Sequence, residues 1–317
     1  LHPKDKDRCE QELQYALITR RQFFITFQVL WSNGSVHSLR IAADIIRDAN
    51  KRPVKLVGVQ WDVTREQEID KQKSEFVSLA SHQLRTPLTA IRWFTELLLG
   101  DQSMAAEQRE YVQEIYKGDL RMIELVNALL NVSRLEMGTF TINPKSLDIV
   151  AMVRSVLSEL KPQTIEREIK IIQQYGENMQ PYLADSNLMR IIFQNLLSNA
   201  VKYTNIQGTV WINMEYLKKD SAVGGRKLSQ DCLVLVVSDT GIGIPTNQQD
   251  KIYTKLFRAE NAQKEQTEGT GLGLYILKEI VDQSGGASWF ISEENTGTSF
   301  FVVMPSTGMT KMTVTQH

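Results

Sequence analysis

Cysteine is almost absent from this chain of 317 residues, Cys9 and Cys232 being its only two. Far apart, with no second pair and no metal-type spacing, they build neither a disulfide framework nor a zinc site, and they favour a reducing, cytoplasmic compartment. Long apolar runs are missing too. The longest strand-like run lies near Leu233 to Val237, far short of the roughly 18 to 20 residues that span a bilayer, so no membrane span is expected in this stretch. Nothing at the amino end resembles a signal peptide. The chain opens on Leu1 in what reads as mid-domain, and the expectation is a piece of a longer protein whose anchor, if it has one, lies upstream. An excess of either charge is also lacking. Lys plus Arg number 36 against 37 for Asp plus Glu, so no global field attracts nucleic acid or an anionic membrane, and partners must be recognised locally.

What is present reads as several domains. Strand-like runs at Phe23–Trp31, Val36–Ile46 and Val54–Val63 are separated by Asn33-Gly34 and by Asn50 to Pro53, which predicts an antiparallel meander. Thr64-Arg65-Glu66-Gln67 fits a capping box with Thr64 as N-cap. The helix predicted from there turns amphipathic at Phe76 and runs to Gly100, with Leu79, Ala80, Leu84, Leu88, Ile91, Phe94 and Leu98 on its apolar stripe. A second amphipathic run, Ala106 to Met137, carries Val112, Ile115, Met122, Ile123, Val126, Leu129 and Leu130 inward, and Gly138 ends it. Two long helices and a short loop make an antiparallel hairpin whose apolar face is too wide to cover alone. Pairing two copies into a four-helix bundle, and hence a homodimer, is expected.

After Pro144 the pattern becomes an α/β mixture: helices at Leu147–Glu168, from Asp185 to Tyr203, and near Leu272–Ser284, with strands at Ile169–Tyr175, Thr209–Leu217, Leu233–Ser238, Ala287–Ser292 and Thr298–Met304. The polar stretch Lys218 to Asp231 reads as a solvated hairpin extension and the tail from Ser306 as disordered. The expected domains are residues 1–64, 65–138, 139–305 and a tail, 306–317. The fold class is multidomain α+β: a partial antiparallel sheet, a dimeric antiparallel four-helix bundle and an α/β sandwich.

Four stretches carry chemistry. His82 falls opposite the apolar stripe of its helix, among Ser78, Arg85, Thr89, Arg92 and Glu96, where folding alone gives no reason for a histidine. On the helix from Asp185, a face that begins with Leu188, Ile191 and Ile192 continues as Asn195, Asn199 and Lys202. Amides there are either bonded to backbone or oxygen ligands for Mg²⁺, with Lys202 toward phosphate. Asp239-Thr240-Gly241-Ile242-Gly243 follows a strand directly; its carboxylate can accept from an exocyclic amine such as that of adenine, and alone it is also compatible with a simple turn. Gly269-Thr270-Gly271-Leu272-Gly273 opens a helix, whose free amides suit phosphate. It has neither the spacing of a dinucleotide-binding turn nor the ending of a P-loop.

Taken in order, His82-Gln83-Leu84-Arg85-Thr86-Pro87, Asn195-Leu196-Leu197-Ser198-Asn199, Asp239-Thr240-Gly241-Ile242-Gly243, Leu256-Phe257-Arg258 and Gly269-Thr270-Gly271-Leu272-Gly273 resemble the sensor histidine kinases of two-component systems, over about Asp70 to Pro305. The upstream meander, through Asn33-Gly34-Ser35 to Trp61-Asp62-Val63-Thr64, resembles the carboxy-terminal half of a PAS domain. The resemblance implies a phosphoacceptor hairpin and an ATP-binding domain of the gyrase, Hsp90 and histidine-kinase fold. It implies that His82 accepts the phosphoryl group and that Asn199, with Asn195, holds Mg²⁺ on ATP. Lys202 would contact phosphate, Tyr203 the base, and Asp239 the adenine amine, with Gly241 and Gly243 clearing space. Phe257 and Arg258 would belong to a mobile lid, with Gly269, Thr270, Gly271, Leu272 and Gly273 shaping its hinge and the phosphate cradle and Thr298 near the adenine. The implied partner is the receiver domain of a response regulator.

The chain departs from the family at one place. An acid usually follows the histidine; here it is Gln83, a poor base. General-base assistance is worth about 10² to 10⁴ in rate, so autophosphorylation is expected either to be slow or to borrow another base. Thr86, one turn from His82, matches the position used to place water for dephosphorylating the receiver, which suggests a phosphatase-leaning balance. Two alternatives stand beside the kinase: a PAS-coupled scaffold that binds ATP with little autokinase activity, and an ATPase of the gyrase and Hsp90 type.

Overall fold

The computed structural model describes residues 1–19, 23–50, 52–101, 103–136, 142–177, 179–265 and 269–309, with backbone alone at 19, 74, 77, 78, 81, 82 and 136. Two compact units divide the chain, one ending at Leu79 and the other starting at Ala80.

In the first unit, α1 (Lys6–Thr19) precedes β1 (Phe23–Leu30), β2 (Val36–Arg47) and β3 (Pro53–Asp62), which form a three-stranded antiparallel meander in sequence order. The turn at Asn33-Gly34 closes as expected, with Gly34 N donating to the Trp31 carbonyl and Trp31 N to that of Ser35. The sequence reading did not find α1; it packs Ala16 against Phe23, Ile25 and Ala43, with Cys9 and Leu13 beside them. β3 is an edge strand, exposed along its length.

Helix α2 (Thr64–Gly100) leaves this sheet without the expected capping box. Thr64 is the first helical residue, and Gln67 N donates to the Val63 carbonyl (2.9 Å). The Thr64 hydroxyl is already engaged: it donates to Asp62 Oδ1 (2.5 Å) and accepts from Ser38 N (2.8 Å). Asp62 Oδ1 also accepts from Thr64 N, and Oδ2 pairs with Nδ1 of His37, which stacks on Trp31. The Thr64 bonds, then His37, pull the Asp62 carboxyl down to about 2. A local Asp turn therefore outcompetes the threonine cap.

In the second unit, α2 pairs antiparallel with α3 (Ala106–Glu136) through Arg85 Nη2 to Asn127 Oδ1 (3.1 Å) and Tyr116 Oη to Glu96 (3.3 Å). Extending that register sets the backbone at His82 level with Leu130. Among its described residues few side chains are buried on this hairpin: Leu88 and Leu130, the polar Thr95 and Asp119, and, in the last turns of α3, Val132 and Leu135. Phe94 and Leu129 are each 57% exposed, and Leu84, Trp93, Leu98, Ile115 and Met122 are exposed too. The expected stop at Gly138 lies outside the described residues.

The remainder is an α/β sandwich. β5 (Lys170–Tyr175), β7 (Thr209–Leu217), β10 (Cys232–Asp239), β11 (Ala287–Glu293) and β12 (Gly297–Pro305) form a sheet of order β11-β12-β10-β7-β5, parallel only between β5 and β7. α4 (Ile149–Glu166), α5 (Ser186–Tyr203) and α7 (Gly273–Gln283), the last preceded by the short α6 (Glu260–Glu265), bury one face around Val153, Ile192, Phe193, Leu196, Ile212, Leu277 and Ile280. β4 (Lys145–Leu147) and β6 (Tyr182–Ala184), a short antiparallel pair, sit beside them. Asp148 and Asp185 cap α4 and α5 with their carboxylates. The last turns of α3 join this core: Val132 and Leu135 are buried in it, and Gln283 Nε2 donates to the Leu135 carbonyl (3.3 Å).

Two expectations are corrected here. The stretch 218–231 is the expected hairpin with most of its residues exposed, but it is not free of the core. Its hairpin, β8 (Ala222–Val223) and β9 (Arg226–Lys227), folds back on the outer face of the sheet and buries Val223 and Leu228 with Trp289 and Phe301. Trp289 Nε1 donates to the Gly224 carbonyl while Arg226 lies over the indole. The tail is likewise docked through Met309, which is buried and donates from N to the Leu183 carbonyl; residues 310–317 lie outside the described residues.

Candidate functional site

His82 lies within α2, and its backbone is helical; the expected outward direction of its side chain lies outside the described residues. Pro87 sits inside the same helix, and its missing N–H leaves the Gln83 carbonyl without its intrahelical donor, loosening the turn next to His82. Gln83 and Thr86 are exposed.

The other motifs meet around one cavity of about 990 Å³ in the second unit. Asn195, Asn199, Lys202 and Tyr203 reach it from α5, Asp239 from the end of β10, and Thr298 from β12. Gly243, Phe257, Arg258, Gly269, Thr270, Gly271 and Gly273 complete the predicted lining. Gly241 and Leu272 do not line it: Leu272 is buried in the core, and Gly241 is buried behind Asp239. A cavity of this size and mixed lining suits a nucleotide.

The amide-bearing face of α5 is the border of the buried stripe, not its centre. Leu188, Ile192, Leu196 and Ala200 are buried, whereas Asn195, Asn199 and Lys202 are half-buried and turned to the cavity. Asn195 Nδ2 donates to the Ile191 carbonyl (2.9 Å), which fixes the amide with its oxygen outward. That oxygen rests against Gly273, where a Cβ would stand 2.3 Å away; glycine is what lets α5 and the start of α7 meet. Lys202 Nζ and the Arg258 guanidinium flank Gly269.

Asp239 is held by its neighbours. Oδ1 accepts from Gly241 N (2.9 Å) and Thr298 N (3.2 Å), leaving Oδ2 for a ligand. Burial pushes its carboxyl up to about 6, against the pull of those two amides. Gly241 has no room for a side chain: a Cβ would stand 2.2 Å from the Tyr203 carbonyl. Ile242 N donates to that same carbonyl (3.1 Å), so the loop after β10 is fastened to the end of α5.

Sequence reasoning missed the amides that shape the loops. Asn261 Nδ2 donates to the Gly243 carbonyl (3.0 Å), Gln249 Nε2 to those of Ile244 and Ser292, and Gln248 Oε1 accepts from Glu260 N. It also missed the wall made by Lys117, Leu120, Arg121, Glu124 and Leu125 of α3, and Arg167 after α4. These have no local motif; only the tertiary fold brings them there.

Among the described residues no cluster of three or more His, Cys, Asp or Glu could hold a metal ion. The donors available to Mg²⁺ are the neutral oxygens of Asn195 and Asn199, too few for a protein cage but fitted to a hard cation that arrives on phosphates and keeps waters.

Known proteins share these segments. Residues 184–308 match the family described as histidine kinase-, DNA gyrase B- and HSP90-like ATPase, residues 72–138 the His Kinase A phospho-acceptor domain, and residues 1–60 the PAS fold. The sensor protein kinase WalK of Staphylococcus epidermidis is 32% identical over 257 residues, 78% of this chain and 39% of that protein. A WalK sequence of Staphylococcus aureus is also 32% identical over 257 residues, 78% of this chain and 57% of that protein. The chain belongs to the sensor histidine kinase family. Its hairpin match sets it apart from the gyrase and Hsp90 branches, which share only the ATPase fold. Among solved structures, full-length ShkA in complex with AMPPNP is similar at a TM-score of 0.58 and 28% identity, covering 75% of this chain and 47% of that one. This histidine kinase chain spans about 39% of the length of several of the curated WalK proteins it matches.

Proposed function

We propose that this chain is the signalling core of a two-component sensor: a homodimeric protein-histidine kinase that phosphorylates its own His82 from Mg-ATP and passes the phosphoryl group to an aspartate of a response-regulator receiver domain. The observation that carries the reading is the single cavity shared by Asn195, Asn199, Lys202, Asp239 and the Gly269–Gly273 loop, in a chain that also bears the phospho-acceptor hairpin.

The neutral imidazole of His82 attacks the γ-phosphorus in line; a P–N bond forms, the P–O bond to ADP breaks, and the imidazole proton leaves to solvent or a nearby base. Asp239 orients the adenine, and Lys202, Arg258 and the free amides opening α7 face the phosphates. Bound Mg²⁺, held by Asn199 and Asn195, would neutralise phosphate charge. The cavity lies beside Lys117 to Leu125 of α3, roughly 8 to 20 Å along the helix from the level of His82 at 1.5 Å per residue. Transfer to either protomer therefore requires the catalytic domain to shift along the hairpin.

Exposed Phe94, Leu98, Ile115, Met122 and Leu129 support the homodimer, since a second hairpin would bury them. Among the described residues no helix is long and apolar enough to cross a membrane; a cytoplasmic position, with any anchor outside this stretch, is part of the proposal.

Gln83 favours a second reading, an ATP-binding scaffold or phosphatase-biased regulator with weak autokinase activity. Incubation with γ-labelled ATP separates the two. Acid-labile, base-stable label on the wild type and none on His82→Ala supports the kinase; nucleotide binding without label supports the scaffold. Gln83→Glu is expected to raise the initial labelling rate about tenfold or more by restoring a base, and no gain would remove the base argument.

A further inference from the structure

The carboxy-terminal end of α5 borders the cavity, with Val201, Lys202 and Tyr203 among its lining residues. This is the unfavourable end of a helix to place near a polyanion, because its last carbonyls are unpaired and carry the negative end of the dipole. No glycine in the left-handed region closes it. Every one of those carbonyls is nevertheless satisfied. Ala200 O accepts from the N and Oγ1 of Thr204, and Tyr203 O from Ile242 N. Val201 O and Lys202 O accept from Nη1 of Arg167 (3.4 and 2.5 Å), while Nη2 donates to Thr204 O (2.8 Å). One guanidinium thus closes the helix.

Arg167 also joins three elements. Its backbone ends α4 by donating to Gln163 O, and its carbonyl accepts from Gln207 N in the loop before β7. Its side chain lines the cavity. Thr204, which it holds, bridges to Gly241 in the loop that presents Asp239.

We infer that Arg167 is a positioning residue for nucleotide binding. Its fork fixes the last turn of α5, and with it Lys202, against the Asp239–Gly243 loop, and its charge offsets the helix dipole beside the phosphates. Lysine cannot take its place, because an ammonium supplies the charge without the planar fork that spans separate carbonyls.

This inference rests on the nucleotide reading of the cavity, and the test separates the two. The whole chain is titrated with a fluorescent ATP analogue in Mg²⁺, beside thermal denaturation. Arg167→Met is expected to raise Kd about tenfold and Arg167→Lys about threefold, from loss of charge-assisted hydrogen bonds. Asp185→Ala is the control: it removes the cap at the other end of the same helix, lowering Tm while leaving Kd within about twofold. Wild-type affinity in Arg167→Lys, or in a folded Arg167→Met, overturns the inference, as does an Asp185→Ala that weakens binding as much as Arg167→Met. No binding by the wild type overturns the nucleotide reading and this inference together.

Discussion

The catalytic sandwich and the helical hairpin, built from the same chain, bury themselves in opposite ways. The sandwich covers one face of its sheet with α4, α5 and α7 and part of the other with the 218–231 hairpin. The helical hairpin leaves Phe94, Leu98, Ile115 and Leu129 in solvent, while Asp119 is buried without a hydrogen-bond partner for either oxygen. A sheet packed on both sides is complete within one chain; two helices have only one shared seam and need more helices to hide the rest. On the proposed function, the sandwich supplies most of the nucleotide site, with one wall from α3, and the phosphate acceptor lies on the hairpin, whose exposed apolar face a second copy would cover.

Perturbing one region while reading the other tests this division. Asn199→Ala is expected to lower His82 labelling by about 10² to 10³, the scale of losing one transition-state contact, with molar mass by light scattering unchanged. Phe94→Lys with Leu98→Lys should weaken dimerisation about 10²-fold or more, because unpaired charges would have to be buried; nucleotide Kd should hold within about twofold, and an unchanged mass would break the comparison.

A pH titration sharpens it further. Asp239 has its folded value raised to about 6, so its contribution to stability is greatest below the unfolded value near 4 and is lost as pH rises through 6. The nucleotide prefers the ionised carboxylate, so the two effects oppose. Between pH 7 and 5 the empty protein should gain thermal stability while nucleotide Kd rises, by at most about tenfold per pH unit below 6; both trends should vanish in Asp239→Asn. The smallest effect belongs to the hairpin. Asp119 is buried with no hydrogen bond to either carboxylate oxygen, so Asp119→Leu should stabilise by about 1 kcal/mol, read as a higher Tm.

Much of the fold was legible because each element carried its own period. Alternating β-branched residues bounded by Asn33-Gly34 marked the meander, and β7 was placed to the residue. α1 escaped because its buried positions are few and small, Cys9, Leu13 and Ala16 among mostly polar residues, and β4 and β6 are too short to show alternation. Thr64 was misassigned because Asp62, two residues earlier, competes for the same amide. In the site, residues within glycine and asparagine motifs were visible locally. Arg167, Gln248, Gln249 and Asn261 bond to backbone carbonyls or amides far along the chain, and no local spacing encodes such bonds. Gly241 and Leu272 show the converse: motif membership marked them as binding residues, whereas they support the cavity from behind.

The central claim is that the complete half of this molecule phosphorylates the incomplete half at one histidine. Phosphosite mapping of the chain after incubation with Mg-ATP, kept at alkaline pH to preserve a phosphoramidate, tests it most directly. The account predicts a single phosphoryl group on the peptide containing His82, absent from both His82→Ala and Asn199→Ala; phosphate on another residue, or none on a wild type that binds nucleotide, would contradict it.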